Sequence, residues 1–255
     1  MKYIKSFYMA LGMFMAIPLP FHIWDEKLAA KMVAQLPIVG LVTGAIWWGT
    51  SLLLTTLDFP IMIVSAVLTV VPFLVAGFIH LDGYMDTSDA LLSYRPLEDK
   101  LRILKDPTVG AFAVVMLVIL FLLQFAAMYT IVDGGRYMAL IIAICVVSRG
   151  CSALAIFVLR HMPGSNYTAM LGDNYGSGVK VFPIVMVLAA MGLSFFYVGY
   201  VGLIVVAAVV FGYCAAMRKA YKAFNGVSGD LLGYSMVIGE VCGLIALALL
   251  QRFWS

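Results

Sequence analysis

The chain has 255 residues, of which 64% are hydrophobic and 11% are charged, and its formal net charge is +3. Soluble domains are roughly half apolar and a quarter charged, so this composition excludes an ordinary soluble protein and indicates a polytopic membrane protein. No basic stripe and no alternation of basic with aromatic residues appears, which argues against a nucleic-acid partner. We therefore expect a single all-α integral membrane domain over residues 1–255.

Seven hydrophobic runs are long enough, or nearly so, to cross a bilayer as helices. They lie near residues 33–57, 60–81, 109–132, 137–160, 181–198, 201–217 and 231–250. Before them, Phe7–Leu19 is short for a span and ends in prolines, which predicts an interfacial or re-entrant segment. Gly199 and Gly202 allow residues 181–217 to form either two spans with a tight turn or one bent helix.

Lysine and arginine are divided unequally between the two sides of this arrangement. The N-terminus and the loops 82–108, 161–180 and 218–230 carry most of the basic residues, whereas the opposite side has only Arg136 and Arg252. Because basic loops stay in the cytoplasm, the asymmetry predicts that these three loops face the cytoplasm. The polar chemistry of the chain is expected on that face.

The stretch His80-Leu-Asp-Gly-Tyr-Met-Asp-Thr-Ser-Asp89 follows the second hydrophobic run and contains Asp82, Asp86 and Asp89. On a helix, the spacing i, i+4, i+7 places all three carboxylates on one face, where they repel each other. A divalent cation would make this arrangement favourable, and Mg²⁺ takes one or two carboxylates together with water and phosphate oxygens. The stretch therefore predicts a Mg²⁺ site, the alternative being a solvated helix start at which aspartates favour the helix dipole.

The next loop, residues 95–110, supplies charges of both signs. Arg102 and Lys105 are candidates for binding anionic oxygens. Asp106 precedes a proline, so it is interpreted either as the N-cap of the third span or as a further metal ligand. The sequence leaves both roles open.

The third loop on this side opens the last span. Its candidate substrate-binding residues are Asn225, Gly226, Gly229 and Asp230. Glycine lets a backbone approach a ligand closely, and the free N–H groups of a helix start favour phosphate. An aspartate N-cap behind a glycine is the structural alternative.

Two charges, Arg149 and Glu240, fall near the middle of the fourth and seventh predicted spans. Intramembrane ionisable residues are usually paired or face a polar cavity. They are interpreted either as a mutual ion pair that holds two spans together or as part of a polar pocket descending from the loops.

Together, the loops resemble those of the cobalamin-5′-phosphate synthase family, the adenosylcobinamide-GDP ribazoletransferases. Members typically show Gly-x-x-His-Leu-Asp-Gly-x-x-Asp-Thr-x-Asp, which residues 77–89 match. Their next loop has a basic residue and an aspartate before a glycine, as in Lys105, Asp106 and Gly110. Their last span opens with Gly-x-Thr-Gly-Asp-x-Leu-Gly, which residues 226–233 match with serine for threonine. The similarity runs from about residue 17 to the C-terminus.

The resemblance implies a late step of vitamin B12 synthesis, in which α-ribazole or its 5′-phosphate joins adenosylcobinamide-GDP and GMP leaves. It implies that Asp82, Asp86 and Asp89 hold one or two Mg²⁺ ions, and that a carboxylate or His80 takes the proton of the attacking hydroxyl. If the segment is helical from His80, its imidazole points away from the acidic face. The resemblance adds Asp106 as a catalytic candidate, and substrate contacts for Arg102, Lys105, Arg149, Asn225, Gly226, Gly229, Asp230 and Glu240.

Two positions depart from the family pattern. Pro107 and Thr108 stand where members usually have serine and arginine, so an arginine contact is lost or moved to Arg102 or Lys105. Val237 occupies the place of one of two glutamates that the last span often carries.

The resemblance also implies a prokaryotic cytoplasmic (inner) membrane protein that contacts membrane lipid, with a homo-oligomer left open. Two other functions compete with it: a phosphotransferase for a lipid or alcohol head group, and a cation transporter. Transporters place their acids at the bilayer midplane, often within inverted repeats. Here the acids follow a span and no internal repeat is visible, which argues against transport.

Overall fold

The computed structural model describes residues 2–163, 165–171 and 176–253. Within these ranges the chain is helical, and its only strand-like pairing is a single bridge between His161 and Val227. The twelve α-helices are Lys2–Phe14 (α1), Ala29–Ala34 (α2), Leu36–Thr56 (α3), Ile61–Val75 (α4), Ile79–Leu92 (α5), Leu97–Ile103 (α6), Ala111–Gly134 (α7), Leu140–Val158 (α8), Asn166–Leu171 (α9), Val181–Val198 (α10), Tyr200–Phe224 (α11) and Gly229–Phe253 (α12). Gly164 and residues 172–175 of the predicted loop 161–180 lie outside the described residues.

The all-α membrane architecture is confirmed. Six helices, α3, α7, α8, α10, α11 and α12, are long and apolar enough to cross a membrane. Among the described residues, a seventh candidate arises if α4 and α5 are counted as one broken span, since the two helices meet at an angle of 93°. The chain is thus an integral membrane protein whose described part has six or seven candidate crossings.

The predicted span 60–81 is wrong in its extent, because α4 ends at Val75. Pro72 removes one hydrogen bond within the last turn of α4, and both Gly77 and Phe78 adopt left-handed backbone angles, with φ of 63° and 62°. These residues stop α4 and redirect the chain sideways. As a result, α5 meets α4 at an angle of 93° and packs against α12 and α7.

Residues 181–217 form two helices, which settles the alternative that the sequence left open. Gly199 joins α10 to α11 with φ of 62°, a conformation that L side chains rarely adopt. The N-terminal segment is also displaced from its prediction: α1 covers Lys2–Phe14 and is followed by an irregular stretch. That stretch is tied to the bundle by the Ala16 N–H, which donates to the Val75 carbonyl at 2.9 Å.

The centre of the bundle is formed by α8 and α12. In their most apolar stretches 72% and 78% of the residues are buried, compared with 17% for the peripheral α10. α3 packs closely on α8 because Gly40 and Gly44 have no side chains: a Cβ on Gly44 would lie 2.6 Å from the Cα of Ile142. Small residues allow such close backbone approach between membrane helices.

Candidate active site

The acidic stretch forms the helix predicted for it, and α5 carries Asp82, Asp86 and Asp89 along one side. The opposite side of α5 is buried, with Thr87 fully enclosed and Tyr84 only 3% exposed. The Tyr84 hydroxyl donates to the Met116 carbonyl of α7 at 3.1 Å. This packing fixes the rotation of α5, so that its carboxylates face away from the apolar core.

α5 lies directly against the start of α12. A Cβ on Gly83 would lie 2.7 Å from the Cα of Asp230, and one on Gly233 would lie 3.0 Å from the carbonyl oxygen of His80. The two backbones meet because each helix has a glycine at the contact. The rings of Tyr84 and Tyr234 stack beside it with centroids 5.9 Å apart. This contact brings the first and third predicted loops together.

Asp86 shows that the carboxylates of the two helices influence each other. Its side chain is half-buried, and its pKa is raised to about 6, first by burial and then by the charges of Asp82, Asp230 and Asp89. Like charges raise a carboxyl pKa because they disfavour a further negative charge nearby. Asp86 and the three neighbouring carboxylates therefore form a region of negative charge, as expected of a site for a cation.

The carboxylates of α5 and α12 do not form a closed metal site, and the Mg²⁺ site expected from the sequence stays a prediction. Among the described residues, no three His, Cys, Asp or Glu side chains approach one another closely enough to hold a metal ion between them. Mg²⁺ needs only one or two carboxylates, because water and substrate phosphates complete its shell. Asp82 and Asp86, with Asp230 opposite them, supply this kind of open oxygen set.

Asp89 has a structural partner that the sequence did not indicate. The N–H of Ala113, in the first turn of α7, donates to Asp89 Oδ1 at 3.3 Å. Gly110 makes this possible, since a Cβ there would lie 2.0 Å from Asp89 Oδ2. A carboxylate is stabilised at a helix N-terminus by free N–H groups and the helix dipole. The metal-ligand role predicted for Asp89 stays a prediction.

The N-cap interpretation of Asp106 is wrong. α7 begins at Ala111 after Gly110, while the Asp106 carboxylate accepts hydrogen bonds from the Thr108 N–H at 2.9 Å and the Thr108 hydroxyl at 2.6 Å. These bonds lower the pKa of Asp106, the hydroxyl bond most of all. Pro107 thus lies in a turn, and the aspartate closes that turn, as aspartate side chains often do.

The cations of the second loop lie on the surface. Arg102 pairs with Asp99 of its own helix, α6, at 2.9 Å, and Lys105 is exposed. An exposed pair of this kind is weak, so it leaves the guanidinium available to a stronger anionic ligand. The structure places these residues in the loop between α5 and α7, but assigns them no contact with the carboxylates of α5.

The third loop is held by the loop that follows α8. Val227 N–H donates to the Arg160 carbonyl at 3.0 Å, and Met162 N–H donates to the Val227 carbonyl at 3.1 Å. Gly226 lies in this contact, since a Cβ there would be 2.7 Å from the Met162 nitrogen. Asn225 ends α11 in the left-handed conformation and is exposed. Gly226 therefore joins two loops, whereas Gly229 and Asp230 open α12 toward α5.

Arg149 and Glu240 form the predicted ion pair. Arg149 Nη1 contacts Glu240 Oε1, and the Ser148 hydroxyl donates to the same oxygen at 2.8 Å. The two residues are 1% and 7% exposed, so the pair is buried between α8 and α12. Burial, and after it the charge of Arg149, lowers the pKa of His80 to about 3.

A cavity of about 250 Å³ opens beside the acidic residues. His80, Asp82, Asp230 and Tyr167 contribute its polar groups. The remaining lining residues are Met13, Phe14, Leu36, Ile79, Ser152, Ile156, Gly229, Leu232, Gly233 and Met236. Sequence reasoning missed Tyr167, Ser152 and the apolar wall, because no local pattern marks residues that meet only after six separate helices pack together.

Comparison with known proteins identifies relatives over the full length of the chain. A family model described as Cobalamin-5-phosphate synthase matches residues 6–248. Proteins named adenosylcobinamide-GDP ribazoletransferase match from Clostridium botulinum (34% identity, 96% of this chain and 97% of the relative) and Clostridium perfringens (36%, 97% and 99%). A third, from Listeria monocytogenes, is 32% identical over 97% of this chain and 98% of the relative. No solved structure matches the chain.

Proposed function

The chain belongs to the cobalamin-5-phosphate synthase family, and from that premise we propose how its residues carry out the reaction. It is an enzyme of cobalamin synthesis that transfers ribazole to adenosylcobinamide-GDP. The carboxylates of α5, together with Asp230 of α12, form the transfer centre. The close contact of α5 with α12 at Gly83 is the observation that carries it.

The reaction exchanges one phosphorus–oxygen bond for another. A hydroxyl oxygen of α-ribazole, or of its 5′-phosphate, forms a bond to the phosphorus that is attached to the cobinamide arm. The bond from that phosphorus to the oxygen shared with GMP breaks, and GMP leaves with the electron pair. The hydroxyl proton passes to a carboxylate of the site or to His80. Such transfers depend on alignment and charge neutralisation more than on covalent chemistry by the protein.

Asp82 and Asp86 are the residues that would hold Mg²⁺, with Asp230 facing them. A bound Mg²⁺ supplies positive charge that offsets the phosphate oxygens and the leaving group. The protein's own contribution is to hold these carboxylates at fixed positions, through the buried side of α5 and its contact with α12. Arg102 and Lys105, in the adjoining loop, are proposed to bind outlying phosphate oxygens.

The positions of the acids also distinguish this function from cation transport. Three of the carboxylates, Asp82, Asp86 and Asp89, lie on α5 beyond the 93° bend that follows α4, and the buried carboxylate of Glu240 is already paired with Arg149. Transport sites are expected near the bilayer midplane, often within inverted repeats, and no internal repeat is visible in the sequence. The head-group phosphotransferase is likewise not favoured, given the relatives over the full length of the chain.

We further propose that the enzyme lies in the cytoplasmic membrane with the acidic site facing the cytoplasm. The excess of lysine and arginine on the side of α5 supports this orientation. The outward sides of α7 and α10 expose large apolar residues such as Leu122 and Leu193, which suits contact with membrane lipid.

Metal removal tests the proposed chemistry. Purified protein is given adenosylcobinamide-GDP and α-ribazole, and GMP release is measured with Mg²⁺, with EDTA, and with Mg²⁺ restored in excess. We expect release only when both substrates and Mg²⁺ are present, and recovery after Mg²⁺ is restored. Undiminished GMP release in EDTA would show that the carboxylates act without a metal.

A further inference from the structure

The cavity beside α5 has two chemically different ends. One end presents the carboxylates of Asp82 and Asp230, and His80 also lines the cavity. The other end is apolar and includes Phe14 of α1 and Met236 of α12. A ligand that fills it must therefore combine a flat or compact apolar body with hydrogen-bonding groups at one end.

The size of the cavity selects between the two substrates. Its volume of about 250 Å³ is slightly below the usual range of ligand pockets, which is roughly 300–1,000 Å³. A nucleoside fits a space of this size, whereas a corrin macrocycle with its side chains does not. The corrinoid must then approach from outside, with only its phosphate end reaching the acidic residues.

The charges that line the cavity also favour the nucleoside over the corrinoid as its occupant. The polar end of the cavity contains two carboxylates, and the described lining residues include no lysine or arginine. A phosphate group is therefore expected only at the carboxylate end, where Mg²⁺ would offset the negative charges, and not deeper in the cavity. The ribose hydroxyls of a nucleoside can donate to the carboxylates. The interior of the cavity is thus suited to the uncharged nucleoside part of the acceptor substrate.

Tyr167 borders this space from a separate helix, α9. Its side chain is buried, and the ring is the nearest neighbour, at 3.9 Å, of the position that a Cβ on Gly229 would occupy. Burial and the charge of Asp230 raise the Tyr167 pKa to about 12, so the phenol keeps its proton and can donate it. The ring also lies beside that of His161, with centroids 6.4 Å apart. Tyr167 therefore offers an aromatic surface and a hydroxyl at the junction of the two ends.

We propose that this cavity is the acceptor site and binds α-ribazole as the nucleoside. The base lies between the apolar wall and the ring of Tyr167, and the ribose hydroxyls face Asp82 and Asp230. The inference rests on the proposed function, because it names which of the two substrates occupies the site. It assigns to Tyr167 and Phe14 the role of binding residues for the base.

The test compares the two Michaelis constants in matched variants. Tyr167→Leu removes the aromatic surface and is expected to raise KM for α-ribazole roughly ten-fold, with KM for adenosylcobinamide-GDP unchanged. Phe14→Leu alters the opposite wall and is expected to act in the same direction. Tyr94→Leu is the control, since Tyr94 is 86% exposed and does not line the cavity. Both constants should stay at their wild-type values in this variant.

A binding measurement shows whether a negative result contradicts the α-ribazole site or the proposed transfer reaction. Titration calorimetry with α-ribazole alone should give saturable binding to the wild-type protein and roughly ten-fold weaker binding to Tyr167→Leu. If the wild type releases GMP but neither wall variant changes KM or Kd for α-ribazole, the site assignment is wrong and the function stands. A rise confined to KM for adenosylcobinamide-GDP also overturns the assignment. Tyr167-dependent binding without any GMP release would support the site and contradict the reaction.

Discussion

Asp86 occupies a position that would be unfavourable for an isolated carboxylate. It is half-buried on α5 and lies near the charges of Asp82, Asp230 and Asp89, all of which raise its pKa. The fold holds these groups together through backbone contact between α5 and α12, and not through their own attraction. A cation that binds there relieves the repulsion, so the electrostatic cost of assembling the site favours metal binding.

The Arg149–Glu240 pair allows a prediction about stability. Arg149→Ala leaves Glu240 buried without its partner, and loss of one member of a buried pair costs about 3–5 kcal/mol in the free energy of unfolding. We expect a clear fall in melting temperature in detergent. The double change Arg149→Met with Glu240→Leu removes both charges and should recover most of the loss.

Arg102→Ala is the control for this experiment, because its pair with Asp99 is exposed and contributes less than about 1 kcal/mol. An Arg149→Ala protein that melts with the wild type would show that the pair is not structural. A double variant that is stable but inactive would place the pair in the substrate site, the second role that the sequence left open.

At the level of helices, the contact between α5 and α12 makes Gly83 the most sensitive position. A Cβ on Gly83 would lie 2.7 Å from the Cα of Asp230, so alanine must push the two backbones apart. We expect Gly83→Ala to lower GMP release at least roughly ten-fold, since a misplacement of about 1 Å is enough for such losses. The variant should still fold into the membrane.

Gly192→Ala in α10 is the matched control, because nothing lies within 4 Å of its Cβ position. Alanine favours a helix by about 1 kcal/mol over glycine, so this variant should be as active as the wild type and at least as stable. Normal activity in Gly83→Ala would contradict the claim that the close contact positions the site.

The sequence predicts which segments are helical, but it does not always predict where those helices begin and end. The acidic helix and the break at Gly199 follow from spacing and glycine, which are local properties. The sideways turn after Val75 was missed because a hydropathy run does not reveal that Phe78 adopts φ of 62°. The N-cap of α7 was one of two roles left open for Asp106, whereas the structure has Gly110 at the N-cap and an Ala113 N–H that donates to Asp89, 24 residues away. Contacts of that separation depend on tertiary packing.

For the whole molecule, three loops predicted on one side meet at one end of the bundle. The loop after α8 pairs with the loop before α12, and α12 in turn packs on α5. The carboxylates of the site could therefore be predicted, since they come from polar loops of the same side. The apolar wall at Phe14 and Met236 could not, because α1 and α12 are brought together only by the fold.

The orientation of the molecule can be tested by labelling. In a chain whose four cysteines are replaced, Glu98→Cys and Leu57→Cys place single thiols at exposed positions on opposite predicted sides. A membrane-impermeant maleimide should label Leu57→Cys in intact cells and Glu98→Cys only after the membrane is opened. The reverse pattern would place the acidic site outside the cell and contradict the proposed orientation.

GMP release by matched aspartate variants shows whether the carboxylates of α5 form the transfer centre. We expect Asp82→Asn and Asp86→Asn to lose roughly 100-fold or more of the wild-type rate while remaining folded in detergent. Asp58→Asn, an exposed position between α3 and α4, is the control and should keep the wild-type rate. Full activity of both α5 variants would contradict the account.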